Sequence, residues 1–383
     1  MSVTTPAGFR AAGVTAGLKA SGKPDLALVV NDGPDHIAAA VFTSNRVQAA
    51  PVTWSRRVLA DARVDAILLN SGGANACTGP EGFADTQRSA ETVAELLALA
   101  PADIAVCSTG LIGERLPMDR LLAGCQSAAA ALSDTGGPDA AEAIMTTDAV
   151  PKTAAAQGSG WSVGGMAKGA GMLAPALATM LVVLTTDAVV DPAALDGLLR
   201  TATGQTFDRV DSDGCMSTND TVLALSSGAS GIRPDPAELA AAFTQVCADL
   251  ARQLVADAEG AAHDIRIEVV HAASEADALE VGRAIARSAL FKCAILGGDP
   301  NWGRILAAVG TTSAAFDPTD LDVAINSVAV CRSSGLGEPR ELVHLTDREV
   351  HVVVNLKAGD ATATIWTNDL THDYVHENSA YST

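Results

Sequence analysis

A mixed α/β fold (α+β) is predicted, with a smaller C-terminal lobe, from three observations. Short apolar runs alternate with Ala-rich stretches of helical spacing through most of the chain. Strand-like segments dominate from about Cys293 onward. The length of 383 residues exceeds one ordinary core.

In chain order, residues 26–30, 38–42, 66–69 and 104–107 are short apolar runs that read as strands. Residues 83–100 and 116–132 place apolar side chains at helical spacing. A Gly and Pro stretch at 136–138 leads into a short helix. A strand-like segment over 161–167, a Gly-rich run over 168–171 and an apolar strand over 180–185 follow. Residues 191–203 and 236–259 read as helices, the second opened by Asp235 as N-cap with Glu238 three residues on. Residues 265–271 alternate as a strand and 275–290 as a helix, and strands are expected over 321–328, 350–356 and 361–366. The main unit is expected to cover about 1–275 and the smaller lobe about 276–383.

Composition narrows the function classes. Hydrophobic residues make up 48% of the chain but aromatics only 3%, so the interior packs from Ala, Val and Leu and the chain is not disordered. Lys and Arg number 25 against 45 Asp and Glu, a formal charge of −20 that argues against nucleic-acid and anionic-membrane partners. The longest nearly uncharged stretch, 171–184, falls short of a membrane span, and the amino terminus lacks the basic and apolar regions of a secretory signal. The seven cysteines, with no C-x-x-C pair, read as thiols of a reducing compartment, so a cytoplasmic location is expected.

Most familiar site patterns fail. Gly160 and Gly165 have P-loop spacing, but Gly-Lys does not follow, and Gly169-Ala-Gly171 lacks the third glycine of a dinucleotide fingerprint. Asp211-Ser-Asp213-Gly214 has Arg209 where an EF-hand needs its first ligand. His372 and His376 are four apart without a third ligand, and reading them as a surface pair leaves no metal site. No G-x-S-x-G elbow occurs. No cofactor is expected, and the scarcity of aromatics fits a site without a stacked nucleotide. Thr179 is a hydroxyl inside an apolar run after a Gly-rich, Pro-bent approach. Spacing leaves two readings open, a nucleophile and a β-branched core residue.

The segment from Lys168 to Thr179 resembles the self-cleavage motif of the ornithine acetyltransferase (glutamate N-acetyltransferase) family of arginine biosynthesis. Further blocks in the same order support the resemblance. They are Phe42-Thr-Ser-Asn-Arg, Asn70-Ser-Gly-Gly-Ala-Asn-Ala, Ser108-Thr-Gly-Leu-Ile-Gly, Met145-Thr-Thr-Asp, Ser217-Thr-Asn-Asp-Thr, Gly298-Asp-Pro-Asn-Trp-Gly-Arg and Asp369-Leu-Thr-His-Asp-Tyr with Asn378.

The resemblance implies an αββα sandwich of the N-terminal-nucleophile aminopeptidase-like kind. It also implies self-cleavage between Ala178 and Thr179 into chains 1–178 and 179–383, assembled as α2β2 or a higher oligomer. Cleavage frees an α-amine whose ordinary pKa, about 7.7–8.0, suits it to act as base for the Thr179 hydroxyl. Acetyl would pass from N-acetylornithine to Thr179 and then to glutamate, with acetyl-CoA an open second donor. Thr109 and Gly110 are implied as the oxyanion-hole pair. Thr146 (or Thr147), Lys168, Thr179, Glu259, Asn378 and Thr383 are implied as substrate contacts. Lys168 suits a carboxylate and Glu259 the δ-ammonium of acetylornithine.

Two departures leave acceptor range open. Ala176 replaces a residue that is polar in many relatives, and the tail reads Asn378-Ser-Ala-Tyr where Asn-Ala-Asp/Glu-Tyr is usual. The rival readings are a self-processing aminopeptidase or amidase, which generally carries Ser at the cleavage point, and a non-enzymatic acidic scaffold in which Thr179 is core.

Overall fold

Leu26–Asn31 (β2), Ala66–Asn70 (β4) and Ile104–Ser108 (β5) are buried along their whole length, as strands covered on both faces must be. With Phe9–Val14 (β1) they form a four-stranded sheet in the order β1-β2-β4-β5, in which β4 and β5 are parallel. A second, five-stranded sheet runs Ile37–Phe42 (β3), Thr221–Ser226 (β9), Leu181–Thr186 (β8), Ser162–Lys168 (β7), Lys152–Gln157 (β6). The structure is a computed structural model that describes residues 1–174 and 180–380. The predicted cleavage residues Ala178 and Thr179, and the predicted contact Thr383, lie outside the described residues.

The period-2 alternation of the strands gives each sheet two apolar faces. Val29, Ile67 and Leu69 of the first sheet meet Leu181, Val183 and Leu223 of the second in a shared core. On the outer face of the first sheet, Leu28, Leu68 and Val106 pack under Gly79–Leu97 (α2) and Met118–Ala131 (α3). On the outer face of the second, Val182, Leu184 and Val222 pack under Pro192–Gln205 (α5) and Pro236–Ala256 (α6). The layers are therefore helix, sheet, sheet, helix, with Ala50–Val58 (α1) against β5 and Gly137–Ala143 (α4) against β1. Asp235 caps α6 as its sequence predicts, accepting from the N–H groups of Ala237 at 2.9 Å and Glu238 at 3.4 Å.

The C-terminal sheet runs Gly335–Leu336 (β13), Val328–Arg332 (β12), Asp322–Ile325 (β11), Glu349–Asn355 (β14), Asp264–Ala272 (β10), Ala361–Asn368 (β15). Glu275–Ala286 (α7), Ala289–Leu296 (α8) and Trp302–Val309 (α9) share its core. His372–Ala380 (α10) ends the described chain.

Three differences from the sequence reading stand out. Strand β10, left with the main unit by a boundary near 275, pairs with β14 and β15, so the smaller sheet recruits chain from Asp264 onward. The single strand expected over 321–328 is a hairpin, because Asn326 (φ 46°) and Ser327 (φ 70°) form a two-residue turn with both residues left-handed. Two helices, α8 and α9, precede those strands where strands were expected to dominate. His372 and His376 lie exposed on α10. Among the described residues no helix is long and apolar enough to cross a membrane.

Candidate active site

Six separate pieces of chain meet at one end of the sandwich. They are the turn after β5, the loop before β6, the end of β7, the loop before β9, the segment between α6 and β10 that carries Glu259, and α10. One cavity there is lined by Thr109, Gly110, Thr146, Thr147, Lys168, Glu259 and Asn378. All the predicted contacts within the described residues are thus brought together. Both members of the Thr146/Thr147 alternative line the cavity, so geometry leaves that choice open. Ser217, Thr218 and Asn219 also line it, although no role for them was readable beyond their place in a family block.

The turn after β5 is shaped for backbone donation. Thr109 uses its own N–H on Asn70 O at 2.9 Å and its carbonyl on Gly73 N–H at 3.0 Å. Gly110 has φ 127°, a region open to glycine, and an added Cβ would lie 2.8 Å from the Gly73 nitrogen. Its N–H donates to no acceptor among the described residues. The Thr109 hydroxyl accepts from Lys168 Nζ at 3.2 Å, which leaves its own proton available for another acceptor. Among the described residues the Thr109 hydroxyl proton and the adjacent Gly110 N–H are thus both without an acceptor, a pair of donors able to meet one anionic oxygen. Asn219 fixes the turn from beneath, donating to Ala74 O at 2.6 Å and Ser108 O at 2.8 Å.

Lys168 is 1% exposed and makes no contact ion pair with a described carboxylate. Burial lowers its ammonium below the usual lysine range. Asp148 opposes this shift and Lys152 adds to it. Asp148 is the hub behind the cavity. Its Oδ1 accepts from Lys152 Nζ at 2.6 Å and Gly169 N–H at 2.7 Å, and its Oδ2 from Thr146 N–H at 2.9 Å. Burial alone would raise this carboxyl, yet Lys168 and Lys152 hold it at about 2. Lys152, fully buried, also binds Asp257 Oδ2 at 2.6 Å, tying β6 to the end of α6. Sequence reasoning missed this network. Only the position of Asp148 in the Met145-Thr-Thr-Asp block hinted at it.

Glu259 sits between the sandwich and α10. Its N–H donates to Ala170 O at 3.0 Å, and its Oε2 accepts from Asn378 Nδ2 at 3.0 Å. Gly171 passes so close that an added Cβ would be 2.6 Å from Glu259 Oε2, so only glycine leaves this carboxylate in place. The cavity thus presents a buried ammonium, a carboxylate and a pair of free donors. No group of three or more potential metal-ligating side chains occurs among the described residues.

A family model described as the ArgJ family matches residues 10–383. The chain is 65% identical over 382 residues to the arginine biosynthesis bifunctional protein ArgJ of Streptomyces coelicolor, covering all of both chains. It is 63% identical over 383 residues to the protein of that name from Thermobifida fusca, again over all of both. Among solved structures, an ornithine acetyltransferase from Mycobacterium tuberculosis complexed with ornithine is 58% identical. That match has a TM-score of 0.45 and covers 47% of this chain and 96% of that one. The arginine biosynthesis bifunctional protein of Bacillus halodurans is 37% identical, with a TM-score of 0.49, over 51% of this chain and 97% of that one. A family match over nearly the whole length, on a chain whose dispersed sequence blocks line a single cavity, establishes that this chain belongs to the ArgJ family.

Proposed function

We propose that the chain is a glutamate N-acetyltransferase of arginine biosynthesis that moves acetyl from N-acetylornithine to glutamate through an acetyl ester on Thr179. The observation that carries this reading is the convergence of Thr109, the undonated Gly110 N–H, Lys168 and Glu259 on one cavity in a member of the ArgJ family. The Thr179 hydroxyl attacks the acetyl carbonyl and the oxyanion falls to Thr109 and Gly110. Ornithine leaves with its α-amine protonated. The glutamate α-amine then attacks the ester and takes the acetyl group. Lys168 receives the α-carboxylate common to donor and acceptor, and Glu259 the δ-ammonium of the donor.

Thr179 acquires its base by self-cleavage at Ala178–Thr179, which frees the α-amine beside its own hydroxyl. The two chains stay together and assemble as α2β2 or a higher oligomer. Acetyl-CoA serves as a second acetyl donor, in keeping with the name bifunctional that the relatives carry. All seven cysteines are free thiols, which fits a cytoplasmic enzyme. Denaturing mass spectrometry tests the cleavage: chains 1–178 and 179–383 are expected, and an intact chain that is fully active would refute it. Acetyl release from N-acetylornithine that runs as fast without glutamate as with it would favour the hydrolase reading instead.

A further inference from the structure

Acetyl transfer between these two amino acids sets a charge problem that the first cavity leaves unsolved. Donor and acceptor share an α-carboxylate, but their side chains end in opposite charges at nearly the same reach, a δ-ammonium on one and a γ-carboxylate on the other. Among the described residues Lys168 is the only lysine or arginine that lines this cavity, and the shared α-carboxylate takes it. Glu259 suits the ammonium and repels a second carboxylate. Glu259 also lines a neighbouring cavity of about 340 Å³, ample for a carboxylate and several waters of about 30 Å³ each. Its other ionisable walls are Asp213, Arg287, Lys292, Asp369 and Tyr374. Most of these are already committed. Arg287 Nε donates to Asp211 Oδ2 at 2.8 Å, and Asp213 accepts the Cys215 N–H at 3.1 Å. Asp369 accepts the Ala262 and His263 N–H groups at 3.0 Å each and lies 2.7 Å from His263 Nδ1. Lys292 on α8 differs: it is 7% exposed, donates to the main-chain carbonyl of Ser212, and has no carboxylate at ion-pairing distance among the described residues. An ammonium carries three N–H donors, so two remain for a ligand. Tyr374 on α10 bonds to Thr371 and Asn378 through its main chain, which leaves its hydroxyl without a partner among the described residues. Burial lowers the Lys292 ammonium to about 8, with Asp213, Asp211 and Asp369 opposing the shift, so it is charged at neutral pH.

We propose that Lys292, with the Tyr374 hydroxyl, is the subsite for the second carboxylate of the acceptor and selects a dicarboxylic amino acid over its amide, an assignment that rests on the acetyl-transfer reading above. The uncommitted groups of the second cavity are donors, as an anion requires, while its carboxylates already have partners. In the acceptor complex the γ-carboxylate turns past Glu259 toward Lys292, whereas the δ-ammonium of the donor stops at Glu259. One site thereby takes side chains of opposite charge in the two halves of the cycle without rebuilding itself.

Steady-state kinetics of the whole enzyme, with N-acetylornithine as donor and glutamate or glutamine as acceptor, test this. Lys292→Met keeps most of the buried stem and removes the charge. It is expected to raise the glutamate KM at least about tenfold, the worth of a charge-assisted hydrogen bond, and the N-acetylornithine KM less than about twofold. It should also erase the preference for glutamate over glutamine, which a loss of packing alone does not do. Lys292→Arg keeps a cation and should retain that preference. Thermal unfolding shows which variants fold. Tyr374→Phe leaves the buried charge in place and keeps the test open should Lys292→Met not fold. It should raise the glutamate KM about three- to tenfold with the donor KM unchanged. The proposal is overturned if wild type does not prefer glutamate to glutamine, or if Lys292→Met keeps the wild-type glutamate KM and preference. A KM rise shared equally by donor and acceptor overturns it too, as does a Tyr374→Phe enzyme of wild-type glutamate KM where Lys292→Met does not fold. A wild-type enzyme that moves no acetyl from N-acetylornithine to glutamate overturns the acetyl-transfer reading itself, so the two failures are told apart.

Discussion

Replacing Asp148 by Asn removes the one charge that two buried lysines share, and its cost can be bounded from the geometry. The carboxyl is held from 3.8 down to about 2, and at about 1.4 kcal/mol per pH unit this amounts to roughly 2 kcal/mol of folding stability. Because the folded value lies below the ordinary one, that stability is complete above about pH 4–5 and is lost as pH falls toward 2. Asparagine does more damage than protonation. Its Oδ1 and Nδ2 cannot together accept from Lys152, Gly169 and Thr146, so at least one buried donor is orphaned. Breaking a buried ion pair typically costs about 3–5 kcal/mol. Asp148→Asn should therefore lose about 2–5 kcal/mol at pH 7. Its stability should also change less than wild type's between pH 5 and 2. Urea unfolding of wild type and variant at several pH values measures both. A variant within about 0.5 kcal/mol of wild type at pH 7, with the same acid profile, would show that Lys152 and Lys168 do not depend on this carboxylate.

Three further outcomes are expected. Thr109→Ala should lower kcat about 10²–10³-fold for acetyl transfer, with a smaller effect on KM, because the proposed mechanism then loses one oxyanion donor. Steady-state kinetics with both substrates checks it. Glu259→Gln should raise KM for N-acetylornithine well above its effect on KM for glutamate, since only the donor carries a δ-ammonium; an unchanged donor KM would contradict the assigned pairing. Gly171→Ala should mimic Glu259→Gln in the same assay, because its Cβ would occupy the space 2.6 Å from Glu259 Oε2 and displace the carboxylate.

The layers of the sandwich were legible because strands buried on both faces read as unbroken apolar runs, as in β4 and β8. The split between β11 and β12 was not, since its turn places Ser327 in a conformation serine does not advertise. Helix α9 follows Gly298-Asp-Pro, which looks like loop until Asn301 is seen to cap it through Arg304 N–H at 3.1 Å. The site was legible only through motif resemblance. Taken without the resemblance, Thr109-Gly110 has only the pattern of a turn after a strand and Lys168 that of a lysine beside a Gly-rich loop. What the blocks hid was the support beneath them. Lys152 and Asp257 are 105 positions apart and carry no shared pattern, so their ion pair depends on β6 meeting the end of α6.

The interleaved order of the five-stranded sheet has a thermodynamic consequence. Strands β3, β6 and β7 precede residue 179 and β8 and β9 follow it, so the seams β7–β8 and β3–β9 join what cleavage would make two molecules. Scission at that point leaves every one of those main-chain bonds in place but turns unfolding into dissociation. The cut protein would then unfold at a temperature that rises with its concentration, whereas the uncut monomer's would not. Dilution, harmless to the precursor, would become a denaturing condition for the cut protein.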